Sequence, residues 1–441
     1  MVDANIAIIS VIQQYLQRVS TNKSWRQQFT EKPSDFTRKR DLPFTQVVFL
    51  LLNMLKRSLS IEIRDFFGSL LIDEHCSKSA FCMQRSKLKP AFFQRLNQLL
   101  VKLFYYFYGD ETKRWQGYHI YAVDGSSIYL PNKEEIVGYF GVHENQHCAV
   151  PMAREMKVYD VLNNIIVWGN IYPIKTSEQT IILQNVNQIP CKSITLFDRG
   201  FPSFSLIYLL GRRKSLFVMR AKIDFNLEIR KFVNSSHKDV ITYFTPTKKA
   251  QKALHEQGHH VGSETKIKVR LVKVILPTGE VEVLITNLFD KKLFPTKDFS
   301  FLYSLRWRIE TNYGTKKNQQ QIEIFSGHRV LCIFQDYYAT NFIYNMQSLI
   351  EKQSQSYLAA VSKKRKHEYK INRNTSWAVL KHTLFKLLMI ETDPRQLLLK
   401  MQSLFEENLE PVRPGRKAKR ELKQKRRNGK HQTHTNYRRA I

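Results

Sequence analysis

Apolar residues recur at three- and four-residue spacings from about residue 5 to 110, most plainly in "VVFLLLNMLKRSLSIEIRDFFGSLL", which predicts a helical N-terminal region. Ser58 ahead of "LSIEIRDFF", and Ser77 or Ser79 ahead of "AFCMQRSKLK", are N-cap signals, and Pro90 stops the second of these helices. That helix carries Gln84, Arg85, Lys87 and Lys89 and follows two packed helices, the layout of a helix-turn-helix recognition element; a basic helix that is simply solvated fits the same pattern.

Around residue 118 the period changes to two. "YHIYAVDGSSIYLP" alternates around a β-branched core, which predicts a strand running into Asp124 and a turn at Gly125. "REMKVYDVLNNIIVWGNIYPI" at 154–174 predicts a hairpin with Asn163 and Asn164 at its tip, pairing beside the first strand. "SEQTIILQNVNQI" predicts a helix capped by Ser177, "KSITLFDRGFPS" a buried strand ending at Asp198, "SFSLIYLLGRRK" a helix stopped at Gly211, and "SLFVMRA" another strand.

From about 222 to 298 two β runs joined at Pro277, Thr278 and Gly279 follow a polar stretch, "PTKKAQKALHEQGHH", and the segment reads as a β-rich insertion. Helical patterning returns from 299 to about 404. The division that follows is a helical N-terminal part (1–112), an α/β part (113–221), the insertion (222–298), a second α/β part (299–350), a helical C-terminal region (351–412) and a basic tail (413–441). No repeat at a fixed period is present.

Composition adds a partner. The 441 residues carry 70 Lys and Arg against 38 Asp and Glu, a formal net charge of +32, while 43% hydrophobic and 12% aromatic residues suffice for a buried core. Such a balance favours a polyanion, because each neutralised phosphate releases condensed counterions. The tail from Arg413 to Arg439 holds twelve Lys and Arg and one acid, Glu421, which suits a segment that docks on nucleic acid. A membrane span is excluded by length: "LPFTQVVFLLLNML" is broken by Thr45, Gln46 and Asn53 and falls short of the roughly 20 residues required. "MVDANIAIISVIQQ" has no basic leader of a secretory signal. Five scattered cysteines without a CxxC pair fit neither a disulfide framework nor a zinc site, which predicts a reducing cytoplasm.

Asp124 and Asp198 each follow an apolar strand, so their side chains leave the core at a sheet edge. Two carboxylates placed this way on neighbouring strands can hold a hard cation, which takes oxygen ligands. Taken singly, an Asp before Gly is most often a turn former, and two in matching contexts shift the balance toward a site. A third acid, Glu310, lies in "YSLRWRIETNYGTKK". At 100° per residue, Tyr303, Arg306, Glu310 and Lys317 fall within an arc of roughly 60°. The stripe is either a solvated face with Arg306 and Glu310 as an i,i+4 pair, or a face pressed on a site by the apolar flank of Trp307 and Ile309.

The spacing Y-x2-R-x3-E-x6-K, matched at Tyr303, Arg306, Glu310 and Lys317, resembles the signature of bacterial insertion-sequence DDE transposases with a ribonuclease-H-like catalytic domain. "AVDGSS" around Asp124 is similar to the first-Asp motif and "FDRGF" around Asp198 to the second; "LPFTQVV", "SKSAFCMQR" and "NYRRAI" are similar to further pieces, so that the likeness runs over nearly the whole chain. The resemblance implies a mixed sheet flanked by helices, interrupted by the β-rich insertion between Asp198 and Glu310, with an all-α N-terminal domain and a helical, basic C-terminal region. It implies that Asp124, Asp198 and Glu310 bind two Mg2+ ions, with Mn2+ as a substitute, for DNA strand cleavage and strand transfer. It further implies cut-and-paste transposition at terminal inverted repeats, with hairpins formed in some relatives, double-stranded DNA as partner, a homodimer in the synaptic complex, and a bacterial cytoplasmic, nucleoid-associated setting.

Tyr303, Arg306, Lys317 and Arg199 would then grip DNA near the scissile phosphate, with Arg85 and Lys87 in the N-terminal helices and Arg416, Lys417, Arg420, Arg426 and Arg427 in the tail as further contacts. Hairpin-forming relatives hold a flipped base with a Trp of the inserted domain. This chain has no Trp between Trp168 and Trp307, and Phe289, Phe294 and Phe301 are the aromatic faces left for that role. Two other readings stand beside this one: a catalytically inactive or regulatory DNA-binding protein of the same descent, which the presence of all three acids disfavours, and a two-carboxylate glycosidase, which the charge of +32 disfavours.

Overall fold

The computed structural model describes residues 1–38, 42–53, 55–71, 76–144, 149–275 and 279–413. The chain forms two compact units: Met1–Glu111, Ile128–Ala153 and Thr315–Ile441 in the first, Thr112–Ser127 and Arg154–Gly314 in the second.

The first unit begins with six helices: α1 (Val2–Thr21), α2 (Lys23–Gln27), α3 (Phe44–Leu52), α4 (Leu59–Ser69), α5 (Lys78–Arg85) and α6 (Ala91–Tyr108). Ser77 caps α5, its hydroxyl accepting from the Ala80 amide at 3.1 Å. The helix ends at Arg85 rather than running to Pro90, so Lys87 and Lys89 fall in the turn that follows. That turn is tied down by a bridge between Leu88 and Thr30.

The chain next forms β1 (His119–Tyr129), α7 (Glu134–Phe140), β2 (Val142–Glu144), β3 (Ala149–Asp160), β4 (Ile165–Pro173), α8 (Glu178–Gln184), β5 (Ser193–Phe197), α9 (Phe204–Arg212) and β6 (Leu216–Ala221). Then come α10 (Leu227–Asn234), β7 (Asp239–Phe244), α11 (Lys248–His255), β8 (Ile267–Ile275), β9 (Val281–Thr286), α12 (Phe299–Ser304) and α13 (Trp307–Asn318). Most of these belong to the second unit, a mixed sheet in the order β3-β1-β5-β6-β9-β8-β7, with β4 paired to β3. β1, β5 and β6 run parallel, and β6, β9, β8 and β7 are antiparallel neighbours. Every residue of β5 is buried, as a central parallel strand with both faces covered requires. α9 packs on β6, α10 on β7 and β8, and α12 on β8. The segment 222–298 continues this sheet, because β9 pairs with β6 from Val218 opposite Thr286 to Ala221 opposite Val283. β8 and β9 form the hairpin expected there, and its tip at Pro277 and Thr278 lies outside the described residues.

β1 does not stop at Asp124 but continues through Gly125 to Tyr129; only its pairing with β5 stops there, at Val123 opposite Phe197. The hairpin of β3 and β4 turns at Asn163 and Asn164, and Asn164 takes the left-handed φ of 58° that a tight turn demands and Asn tolerates.

The first unit is completed by α14 (Val330–Lys352), α15 (Gln355–Lys363), β10 (Tyr369–Ile371), α16 (Arg373–Leu388), α17 (Pro394–Glu407) and β11 (Leu409–Pro411). From Tyr337 to Ile350 every residue of α14 is buried, polar ones included. A helix buried all round is the centre of its bundle: α3, α6, α16 and α17 pack on it. Several of its polar side chains bond to neighbours, as where Asn345 donates to Asn97 at 2.8 Å and Gln347 to Ser376 at 2.8 Å. No helix among the described residues is long and apolar enough to cross a membrane.

Candidate functional site

In the second unit, the parallel register brings two acids side by side. Val123 pairs with Phe197, so Asp124 and Asp198 are the next residues of β1 and of the chain leaving β5. Burial pushes the Asp124 carboxyl up to about 7; Arg306 and the Gly125 amide oppose this, and Glu178 and Asp198 add to it. Asp198 keeps its side chain 32% exposed.

The third acid arrives on a broken helix. α12 ends at Ser304 and α13 begins at Trp307, with the amides of Leu305, Arg306, Arg308 and Ile309 each bonding three residues back instead of four. Tyr303 and Arg306 therefore do not share one regular helix with Glu310, yet the tight turn leaves them in contact. Arg306 is buried, and its Nη2 reaches Glu310 Oε1 at 3.0 Å and Asp198 Oδ1 at 3.8 Å. Burial works against the charge on Arg306, but Tyr303, Asp198, Glu310 and Asp124 outweigh it. Arg306 Nε is buried without a hydrogen-bond partner, a donor held in reserve for an acceptor. The Tyr303 hydroxyl lies 3.3 Å from the Phe197 carbonyl and 3.5 Å from Asp198 Oδ1. Burial holds its phenol protonated well above the usual range.

Several neighbours of these acids carry no sequence motif. Glu178, first residue of α8, forms a 3.0 Å ion pair with Arg154. Its carboxylate lies where a Cβ on Gly125 would stand, so only glycine beside Asp124 allows that approach. Glu282 on β9 is buried, paired to Arg220 of β6 at 3.0 Å, and pushed up by burial against the pull of Arg220. Arg220 comes from the strand next to β5, and Glu282 lies within electrostatic reach of Asp198 and Arg306. Spacing could not have found either, because sheet pairing across about 60 residues brings them together.

The other residues expected at a DNA surface divide sharply. Arg199 is exposed beside Asp198. Lys317, on the part of α13 in the first unit, pairs with Glu323 at 3.9 Å. Arg85 is buried in the first unit rather than facing outward: it donates to Gln335 at 2.7 Å, Ser326 at 2.6 Å and Asp336 at 2.8 Å. Lys87, half-buried in the turn after α5, bonds Gln84 at 2.9 Å. Arg416, Lys417, Arg420, Arg426 and Arg427 lie outside the described residues. Of the aromatic faces, Phe294 is buried and stacked on Trp115 at 6.0 Å, Phe289 sits under Lys268 at 5.1 Å, and Phe301 and Trp307 are each 56% exposed.

The donor set suits a hard divalent cation, since all three acids offer carboxylate oxygens and desolvation disfavours the bare charge on Asp124 despite Arg306. The acids are not drawn together, however: among the described residues no group of three or more His, Cys, Asp or Glu is placed to hold a metal ion, and the guanidinium of Arg306 bridges Asp198 and Glu310 instead.

Residues 115–346, more than half of the chain, match the family described as transposase DDE domain, and the chain belongs to that family. It is similar to the transposase InsG for insertion sequence element IS4 of Escherichia coli (strain K12), with 24% identity over 293 residues, 64% of this chain and 64% of that protein. The match thus spans a little under two thirds of that relative's length. Among solved structures, a piggyBac transposase synaptic complex with hairpin DNA aligns at a TM-score of 0.43 and 12% identity, covering 92% of this chain and 87% of that one.

Proposed function

We propose that the chain cleaves DNA at the ends of an insertion sequence and joins the liberated 3' hydroxyls to target DNA, with Asp124, Asp198 and Glu310 as the catalytic acids. The observation that carries this reading is Arg306, which pairs with Asp198 and Glu310 and lies within electrostatic reach of Asp124, the residue after the last β1 position paired to β5. The three carboxylates would hold two Mg2+ ions, which in such sites activate an oxygen nucleophile and stabilise the leaving oxygen of an in-line displacement. Arg306, whose Nε lacks a partner, would turn from the carboxylates to the scissile phosphate. Tyr303, protonated and fixed on the Phe197 carbonyl, would orient Asp198. Arg199, exposed next to Asp198, would hold the flanking backbone. A hairpin step would need an aromatic to hold a flipped base, and of the three phenylalanines expected for it only Phe301 is well exposed.

On this reading residues 1–112 and the tail from 413 bind DNA and the enzyme pairs two element ends as a homodimer. The test is cleavage of DNA carrying the flanking ends of the protein's own gene, with and without Mg2+. Asp124→Asn, Asp198→Asn and Glu310→Gln should each abolish nicking while retaining DNA binding. Normal nicking by any one removes that acid from the site, and binding without nicking by the unaltered chain would favour a regulatory role.

A further inference from the structure

Beneath the acids, in the same unit, lies a buried charge for which the chemistry above has no use. Lys157 on β3 is fully buried, and its ammonium forms a 3.0 Å ion pair with Glu155, two residues earlier on the same face of the strand. An ammonium withdrawn from water is strongly disfavoured unless good geometry and further bonds compensate it. Here α13 supplies them. Lys157 Nζ donates to Asn312 Oδ1 at 2.9 Å and lies 4.0 Å from the centroid of the Tyr313 ring, within cation-π range. Tyr313, itself buried, donates its hydroxyl to the main-chain carbonyl of Asp124 at 2.6 Å. A continuous line of contacts therefore runs from β3, through the turn of α13 that follows Glu310, to the backbone of the first acid on β1.

We infer that Lys157 and Tyr313 are positioning residues for the acidic site: together they set the spacing between the helix that presents Glu310 and the strand that presents Asp124. An apolar pair of similar volume would fill the same space without this directionality. The hydroxyl of Tyr313 fixes one carbonyl, and the ammonium fixes the ring that carries the hydroxyl. The inference rests on the reading of Asp124, Asp198 and Glu310 as metal ligands. Groups that orient ligands from behind typically change metal affinity when they are removed.

The test titrates the full-length chain with Mn2+ without DNA, following the free ion by electron paramagnetic resonance, alongside thermal melts. Four proteins are compared: wild type, Asp124→Asn, Tyr313→Phe and Lys157→Met. Tyr313→Phe removes one oxygen and should melt close to wild type yet bind Mn2+ about tenfold more weakly. Lys157→Met should weaken binding in the same direction; if it does not fold, Tyr313→Phe decides alone. Loss of binding in Asp124→Asn with wild-type affinity in Tyr313→Phe overturns the positioning role, whatever the melts show. Wild-type affinity in Asp124→Asn overturns the assignment of the acids themselves, and the positioning role with it.

Discussion

Asp124 and Asp198 are the residues immediately beyond the last paired positions of two neighbouring parallel strands, Val123 and Phe197. Desolvation pushes the half-buried Asp124 carboxyl up to about 7, and the Asp198 side chain is 32% exposed.

The first prediction concerns pH. An aspartate in an unfolded chain titrates near about 4, whereas burial holds folded Asp124 near 7. Between those values the folded chain keeps a proton that the unfolded chain has lost, so stability falls as pH rises through this window and levels off above it. With a chelator present, wild type should lose roughly 2 to 3 kcal/mol relative to Asp124→Asn between pH 5 and pH 8 in urea titrations. Parallel curves for the two proteins would mean that Asp124 is ionised throughout.

A second prediction follows from Gly125. A methyl group there would occupy the place of the Glu178 carboxylate. Because the displaced atoms are the end of a flexible side chain, Gly125→Ala should cost only about 1 kcal/mol. In a Glu178→Ala background the same change should cost nothing. A double-mutant cycle on melting temperature reads the coupling, and additive losses would show that glycine is needed there for another reason.

Arg85 and Lys87 should separate cleanly. Arg85→Met leaves Asp336 without its buried partner and should destabilise the first unit by about 3 kcal/mol. Lys87→Ala should leave the melt almost unchanged and weaken DNA binding in low salt. Equal losses of DNA affinity in two variants of wild-type stability would return Arg85 to the surface.

The tail gives a fourth. Twelve Lys and Arg lie between Arg413 and Arg439. If they touch phosphates, removing 413–441 should flatten the slope of log affinity against log salt by about 0.9 for each phosphate that the tail had neutralised. An unchanged slope means the tail leaves DNA alone.

The sequence carried the parts of this site whose chemistry is local. The strand running out at Asp198, the cap at Ser77 and the Asn163–Asn164 turn were all legible from residue type and period. The break between α12 and α13 that parts Tyr303 from Glu310 was not, because no glycine or proline announces it. Arg85 read as a surface residue because a cation on a short polar helix is usually solvated; its three acceptors come from about 240 to 250 residues away. Glu178, Glu282 and Lys157 were silent for the same reason. Each is an ordinary charged residue until the sheet brings its neighbours to it.

α14 bears on how the protein is made. Residues 1–111 leave the ribosome early, but the helix they surround ends only at Lys352. At ordinary elongation rates that is a wait of roughly 10 to 50 s, during which the faces of α3 and α6 that pack on α14 stay uncovered. A message cut short before α14 would therefore leave those faces of α3 and α6 open to chaperones and proteases.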